Sequence, residues 1–359
     1  MTLHDLAVLG WTLDREQAFA PLAESGLVPG RVSLEHNHVY RVLTAEGELL
    51  AEAAGRIKYL ASGRNELPAV GDWVGVRVDP QGGRSVIRAI LPRRSVFSRK
   101  AAGRETIEQV VAANVDTVFV VFGLDKPVNT RGIERYLVLA RRSGADPVFV
   151  LNKADLADDV AGSVTEATIA AGDVPVHAVS TRAAPGVSSL ASYLVVGRTA
   201  ALIGPSGAGK SSIVNVLVER ELLATGEVRE WDARGRHTSV HRQLVVRDAG
   251  GLIIDTPGLR ELQLWDAGDA FDDAFTDIAA LADACRFRDC RHDREPGCAV
   301  KAAVDSGTFD AGRYESYLKL QREQAAFEKN RDERAAIDAK RQGRLGSKAL
   351  KAFQKQRGR

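Results

Sequence analysis

The stretch Ala200–Ser212, AALIGPSGAGKSS, decides the fold. Small apolar residues lead into Gly204-Pro205-Ser206-Gly207-Ala208-Gly209-Lys210-Ser211-Ser212, and Ile213, Val214, Val216 and Leu217 follow at helical spacing. Strand, G-x-x-x-x-G-K-S, helix is the pattern of a phosphate-binding loop. The glycines let the backbone wrap around phosphate oxygens with several N–H groups pointing inward. Lys210 is placed to reach β- and γ-phosphate oxygens. Ser211 offers a hydroxyl to Mg²⁺, and the helix beginning there adds its positive end. The loop by itself is compatible with any nucleotide triphosphatase of this type.

Upstream, the near-continuous apolar run Val115–Phe122 and the run Asp146–Leu151 read as buried parallel strands, with a helical pattern over Ile133–Arg142 between them. Val174–Val179, Thr199–Ile203, Gln243–Asp248 and Gly251–Asp255 are further strand candidates, the last two joined by a turn at Ala249-Gly250. Strands alternating with helices predict a doubly wound α/β sheet. Asn152-Lys153-Ala154-Asp155 closes the second strand. There the Asp155 carboxylate accepts two hydrogen bonds from a guanine edge, N1–H and N2–H, a donor pair that adenine lacks. Asn152 bonds the N7 side of the base and ties loops together, and the Lys153 stem covers one face of the ring. Val179-Ser180-Thr181 matches the second base-contacting loop of GTPases.

Asp255-Thr-Pro-Gly258 ends another apolar strand. Asp255 is placed to hold Mg²⁺ through water, and the Gly258 N–H to bond the γ-phosphate. Between the phosphate loop and this turn, the Arg- and Gly-rich stretch Gly226–Val240 falls where a GTPase has its first switch, with Thr238 to close onto Mg²⁺. Leu259 stands where many GTPases carry a Gln that orients the attacking water. A leucine cannot do this, so His237 is the local candidate, as a neutral imidazole that accepts or orients the water's proton. The expected catalytic set is therefore His237, Lys210 and Thr238.

The motif order is base loop, second base loop, phosphate loop, first switch, second switch. Ordinary GTPases have the phosphate loop first, so the order predicts a circular permutation, which a fold survives when its old termini lie close together. Asp255–Gly258 then leads through Trp265 into Cys285-x4-Cys290-x-His292-x5-Cys298. An odd, clustered set of cysteines without a signal sequence favours metal over disulfides. Three thiolates and one imidazole form a closed tetrahedral set for one structural Zn²⁺. A shift of the second switch with the γ-phosphate would pull on this segment.

The flanks differ in character. Residues 1–30 read as a helical lead-in ended by Pro29-Gly30. Residues 31–98 hold short strands with turn signals and suggest a small barrel, an OB-fold, rich in basic residues (Arg31, Arg41, Arg56, Lys58, Arg64, Arg77, Arg84, Arg88, Arg93 and Arg94). Such a surface suits RNA. The GTPase domain is expected over 99–266 and a zinc-binding helical domain over 267–339, with one helix at Phe271–Cys285 and a long one at Tyr314–Ala339. The tail 340–359 has 8 Lys/Arg and no Asp/Glu, a charge pattern that suits nucleic acid. With 359 residues, 45% of them hydrophobic, there is material for several cores. No run is long and apolar enough for a membrane span or signal sequence, which predicts a cytoplasmic monomer with no membrane partner.

Taken together, the barrel, N-K-A-D ahead of G-P-S-G-A-G-K-S, G-R-H-T, D-T-P-G and C-x4-C-x-H-x5-C resemble the RsgA family of small-subunit-dependent GTPases over residues 30–320. The resemblance implies GTP hydrolysis to GDP stimulated by the 30S ribosomal subunit, a role late in its maturation, an OB-fold, and contacts of the outer domains with 16S rRNA. It also implies a first-switch histidine in hydrolysis, here His237. The family's switch commonly reads G-R-H-T-T-T, whereas this chain has Gly235-Arg-His-Thr238-Ser239-Val240. Two other readings stand beside it. An RNA-binding assembly factor that uses nucleotide only as a structural switch is kept open by Leu259. A P-loop ATPase of the transporter type would carry an L-S-G-G-Q signature, absent here, and would leave Asn152–Asp155 unexplained.

Overall fold

A computed structural model describes residues 5–61, 63–100, 108–184, 186–218, 243–255, 274–323 and 325. His237, Thr238, Gly258, Leu259, Trp265 and the basic tail lie outside the described residues. The chain divides into two compact units, Met1–Gln263 and Leu264–Arg359. Among the described residues no helix is long and apolar enough to cross a membrane.

The first unit opens with helix α1 (Leu13–Glu24), which buries Phe19. Trp11 packs edge-on against Phe19 and Trp73, with ring centroids 5.7 and 4.8 Å apart. Pro29-Gly30 does not end this helix. It lies inside strand β1 (Val28–His36), which the turn-like Pro-Gly pair concealed. Gly30 is there for close packing: a Cβ would sit 2.4 Å from Val42 Cγ1.

Strands β1, β2 (Val39–Thr44), β3 (Gly47–Ala53), β4 (Trp73–Arg77) and β5 (Ser85–Ile90), with helix α2 (Gly55–Leu60) between β3 and β4, form the barrel. The strand order is 1-2-3-5-4, and β4 pairs back onto β1. The β3–β5 pair is parallel, whereas the others are antiparallel. Closure removes the sheet edges. Alternating side chains, including Val32, Tyr40, Val42, Val74, Val76 and Ile87, fill the interior. Strands β6 (Val96–Lys100) and β7 (Glu108–Ala113), not expected from the sequence, form a separate antiparallel pair.

The α/β part follows: β8 (Thr117–Gly123), α3 (Thr130–Ser143), β9 (Asp146–Asn152), α4 (Val160–Ala171), β10 (Val176–Ala178), β11 (Thr199–Ile203), α5 (Lys210–Val218), β12 (Gln243–Val246) and β13 (Leu252–Asp255). The order β10-β9-β8-β11-β13-β12 is parallel except for β12. The apolar runs read as buried strands are buried: Val118–Val121 and Ala200–Ala201 are fully inaccessible. One connection was not foreseen. Strand β12 also pairs with β1 at Leu34↔Gln243, so barrel and α/β sheet share one continuous eleven-stranded sheet.

Two arginines expected on the RNA-facing surface serve inside the fold instead, Arg31 fully buried and Arg93 half-buried. Arg31 is 1% exposed. Its guanidinium donates to the carbonyls of Leu9, Asn114 (3.0 Å) and Gly71 (3.3 Å), and it lies 5.5 Å from the Trp73 ring centroid. Burial lowers its pKa to about 9, still above neutrality, so it remains a cation. It thus joins the lead-in, the barrel and the start of the α/β part. Arg93 grips the buried Asp72 with two bonds of 2.8 and 2.7 Å and donates to the carbonyls of Asn65 and Leu67.

In the second unit, α6 (Thr276–Ala282), α7 (Ala299–Asp305) and α8 (311–323) pack around Phe275, Ile278, Val300 and Tyr317. The Phe275 and Tyr317 rings meet edge-on at 5.3 Å. Arg313 donates to both carboxylate oxygens of Asp277. The helix expected through Cys285 stops at Ala282, because the chain turns to bring Cys285 to the other ligands. The helix expected over Tyr314–Ala339 already begins at 311 and is described to 323; residues 324 and 326–339 lie outside the described residues.

Candidate nucleotide and metal sites

Strand β11 lies between β8 and β13 and releases the chain at Ile203 into the phosphate loop. Gly204, Gly207 and Gly209 have φ of 134°, 80° and 90°, which side chains with a Cβ resist. A Cβ on Gly204 would sit 2.2 Å from the Val121 carbonyl, and one on Gly209 2.1 Å from Asn152 Nδ2. Helix α5 then starts at Lys210, with Ser211 and Ser212 half-buried in its first turn. Its apolar side, Ile213, Val214, Leu217 and Val218, packs against the sheet. Lys210 Nζ folds back onto the loop and donates to the carbonyls of Gly204 (2.8 Å) and Pro205 (2.6 Å). Pro205, Ser206 and Gly207 are exposed and Ala208 is buried.

The base loop leaves the end of β9 beside this loop. Asn152 is 1% exposed, and its Nδ2 donates to the Ala208 carbonyl at 2.9 Å. Its Oδ1 is buried with no partner among the described residues. The two loops are 56 residues apart in sequence and directly bonded in space. Lys153 adopts a left-handed φ of 63°, and its Nζ reaches Asp125 Oδ2 at 2.8 Å. This bond holds the Asp125 carboxyl below its usual pKa. Asp155 is exposed and accepts a 2.5 Å bond from Ser180 Oγ. Ser180, 2% exposed, in turn accepts from the amides of Arg182 and Ala183, both at 3.0 Å. Its hydroxyl is thereby oriented toward the carboxylate.

Asn152, Lys153, Asp155, Ser180 and Gly204–Ser212 thus gather at the carboxyl ends of β8–β11, where open parallel sheets take their ligands. Asp255 ends β13, whose partner β11 carries the phosphate loop. Thr238, His237 and Gly258 lie outside the described residues. Sequence reasoning overlooked Asp125. Its signal was an acid two residues past a buried strand, at the level of the base loop. It also missed the Ser180 bond to Asp155, which requires the two loops to be placed side by side.

The ligand atoms of Cys285, Cys290, His292 and Cys298 lie within 4.8 Å of one another. Cys285 Sγ is 3.9 Å from Cys298 Sγ, and His292 Nδ1 is 3.6 and 3.5 Å from these sulfurs. A tetrahedral zinc with ordinary Zn–S and Zn–N bonds gives ligand separations of about 3.8 and 3.5 Å, so the set fits that ion. Burial keeps the His292 pKa low, which favours the neutral ligand form. The amides of Ala299 and Lys301 point at Cys285 and Cys298 sulfurs, and Tyr314 donates to the His292 carbonyl at 2.5 Å. These contacts fix the ligands from outside, as second partners do in metal sites.

Comparison with known proteins gives a consistent picture. The family model for the RsgA GTPase matches residues 90–265. The small ribosomal subunit biogenesis GTPase RsgA of Opitutus terrae is 49% identical over 89% of this chain and 90% of its own length. The protein of that name from Streptomyces coelicolor is 42% identical over 97% of this chain and 95% of its own. Among solved structures, YjeQ from Thermotoga maritima matches with a TM-score of 0.60 and 29% identity over 82% of this chain and 97% of its own. YloQ, a circularly permuted GTPase, matches in fold with a TM-score of 0.58 and 23% identity over 85% and 96%.

Proposed function

The chain belongs to the RsgA GTPase family, and from this we infer that it hydrolyses GTP to GDP and phosphate on the 30S ribosomal subunit, late in that subunit's maturation. One observation carries the nucleotide assignment. The bond from Asn152 to the Ala208 carbonyl joins a guanine-selecting loop to a phosphate loop, although the chain presents them in reversed order. In this reading Asp155, steadied by Ser180, accepts from the guanine edge. The Lys153 stem covers the ring, and the amides of Gly204–Ser212 cradle the phosphates. Lys210 exchanges its carbonyl partners for β- and γ-phosphate oxygens.

Ser211, Asp255 and Thr238 would hold Mg²⁺, which supplies charge neutralisation at the phosphate oxygens. His237 orients the attacking water in place of the missing Gln, and the Gly258 amide bonds the γ-phosphate. Cys285, Cys290, His292 and Cys298 would hold one Zn²⁺ as a structural cross-link. The outer domains contact 16S rRNA, and the protein acts as a cytoplasmic monomer. The continuous ladder β13–β12–β1 offers a physical route from the nucleotide site to the barrel.

GTP turnover by the full chain, with and without 30S subunits, tests this. Turnover that rises with subunits, and a bound guanine nucleotide displaced by GDP but not by ADP, are expected. Absence of turnover under both conditions would refute the hydrolase. An unchanged rate in His237→Ala would remove that residue's role.

A further inference from the structure

The cations of the barrel fall into two groups. Arg41 pairs with Glu48 at 3.7 Å, Arg84 with Glu52, Arg93 with Asp72 at 2.7 Å and Arg94 with Asp14 at 2.6 Å, and Arg31 is interior. The outer side of β2 and β3, where barrels of this type commonly take oligonucleotides, is therefore largely charge-neutralised here. Arg56, Lys58, Arg64, Arg77 and Arg88 are exposed and have no acidic partner among the described residues, Arg77 at the end of β4 and the other four elsewhere. Three of them lie on α2 and the turn after it, where Glu66 is the one acid between Gly55 and Leu67. Arg88 adjoins them. The Ala54 amide that precedes α2 bonds the carbonyl of Ile87, and because Ile87 is buried, the next side chain on the strand points outward.

Helix α2 buries none of its residues. Tyr59 on it is 87% exposed and Leu60 60%. An aromatic ring held in water on a short helix, among unpaired cations, has the composition of a stacking platform with a phosphate track. Self-association through this face would set the same cations against each other. We infer that the α2 side of the barrel binds single-stranded RNA, with a base stacked on Tyr59 and the adjoining phosphates held by Arg56, Lys58, Arg64 and Arg88. This rests on the reading that the protein docks on ribosomal RNA, and it locates one contact surface on α2 rather than on the β2–β3 face.

The full chain is titrated with a fluorescein-labelled oligouridine of about 12 nucleotides, within the usual range of barrel site sizes, over a salt series. Tyr59→Ala is expected to weaken binding between about 5- and 150-fold at unchanged salt slope, because stacking releases no counterions. Replacing the four cations together by alanine is expected to lower the log–log salt slope by about 3. Both variants should melt like wild type, since the replaced side chains are exposed. Wild-type affinity and slope in both folded variants would overturn the inference. Loss of 30S binding with oligouridine binding intact would also overturn it and assign the face to a protein partner. Failure of the wild-type chain itself to bind 30S subunits would instead count against the ribosomal reading.

Discussion

Replacing Arg31 by methionine tests how the first unit is held together. Methionine keeps much of the volume but removes every donor. Three carbonyls then lose their partner, those of Leu9, Gly71 and Asn114. The Gly71 carbonyl keeps a second donor, Asn114 Nδ2 at 3.1 Å, so the loss falls mainly on the other two. A buried acceptor left unsatisfied costs about 1–3 kcal/mol, and the lost contact with the Trp73 face adds about 1 kcal/mol. The expected destabilisation is about 3–7 kcal/mol, or a fall in Tm of roughly 6–28 °C for a unit of this size. Arg31→Lys should lie between, because a point donor cannot span three separated carbonyls. Differential scanning calorimetry of the full chain reads this directly. A Tm of Arg31→Met within about 2 °C of wild type would refute the idea that this buried cation fixes the junction.

Asp155→Asn removes an acceptor from the guanine edge, and GDP affinity should fall roughly 10- to 100-fold by isothermal titration at a nearly unchanged Tm. An unaltered GDP affinity would displace Asp155 from the base site. Gly209→Ala places a Cβ 2.1 Å from Asn152 Nδ2 at a φ of 90°, so nucleotide binding should be lost together with about 1–3 kcal/mol of stability. A normal affinity in that variant would show that the two loops do not need their bond. Strong chelation, or Cys298→Ser, should remove about one equivalent of zinc and collapse the helical signal of the second unit, while the transition of the first unit persists. A zinc content of zero in the purified wild-type protein would refute the metal assignment.

Local features were legible because their signal is local. The three left-handed glycines of the phosphate loop, the buried strands β8, β9 and β11, and the four metal ligands within 14 residues all lie in short stretches. Strand β1 was hidden because Pro29-Gly30 mimics a turn, although the glycine answers to a neighbouring strand. Arg31 and Arg93 looked like surface cations, since nothing in their flanking residues announces partners 21 to 83 positions away. Asp125 escaped notice for the same reason: its partner, Lys153, lies 28 positions on.

By itself the sequence determined the class of chemistry and the permuted order of its parts. The N-K-A-D tetrapeptide, the glycine-rich loop ending in Lys210-Ser211 and the Cys3His set each depend on residue type and short spacing. Only the tertiary structure decided which cations are structural and which face solvent. It also decided that Ser180 steadies Asp155 and that β12 joins the barrel to the α/β sheet. Those outcomes depend on burial and on hydrogen bonds between distant segments, and such bonds form only when the whole core is assembled.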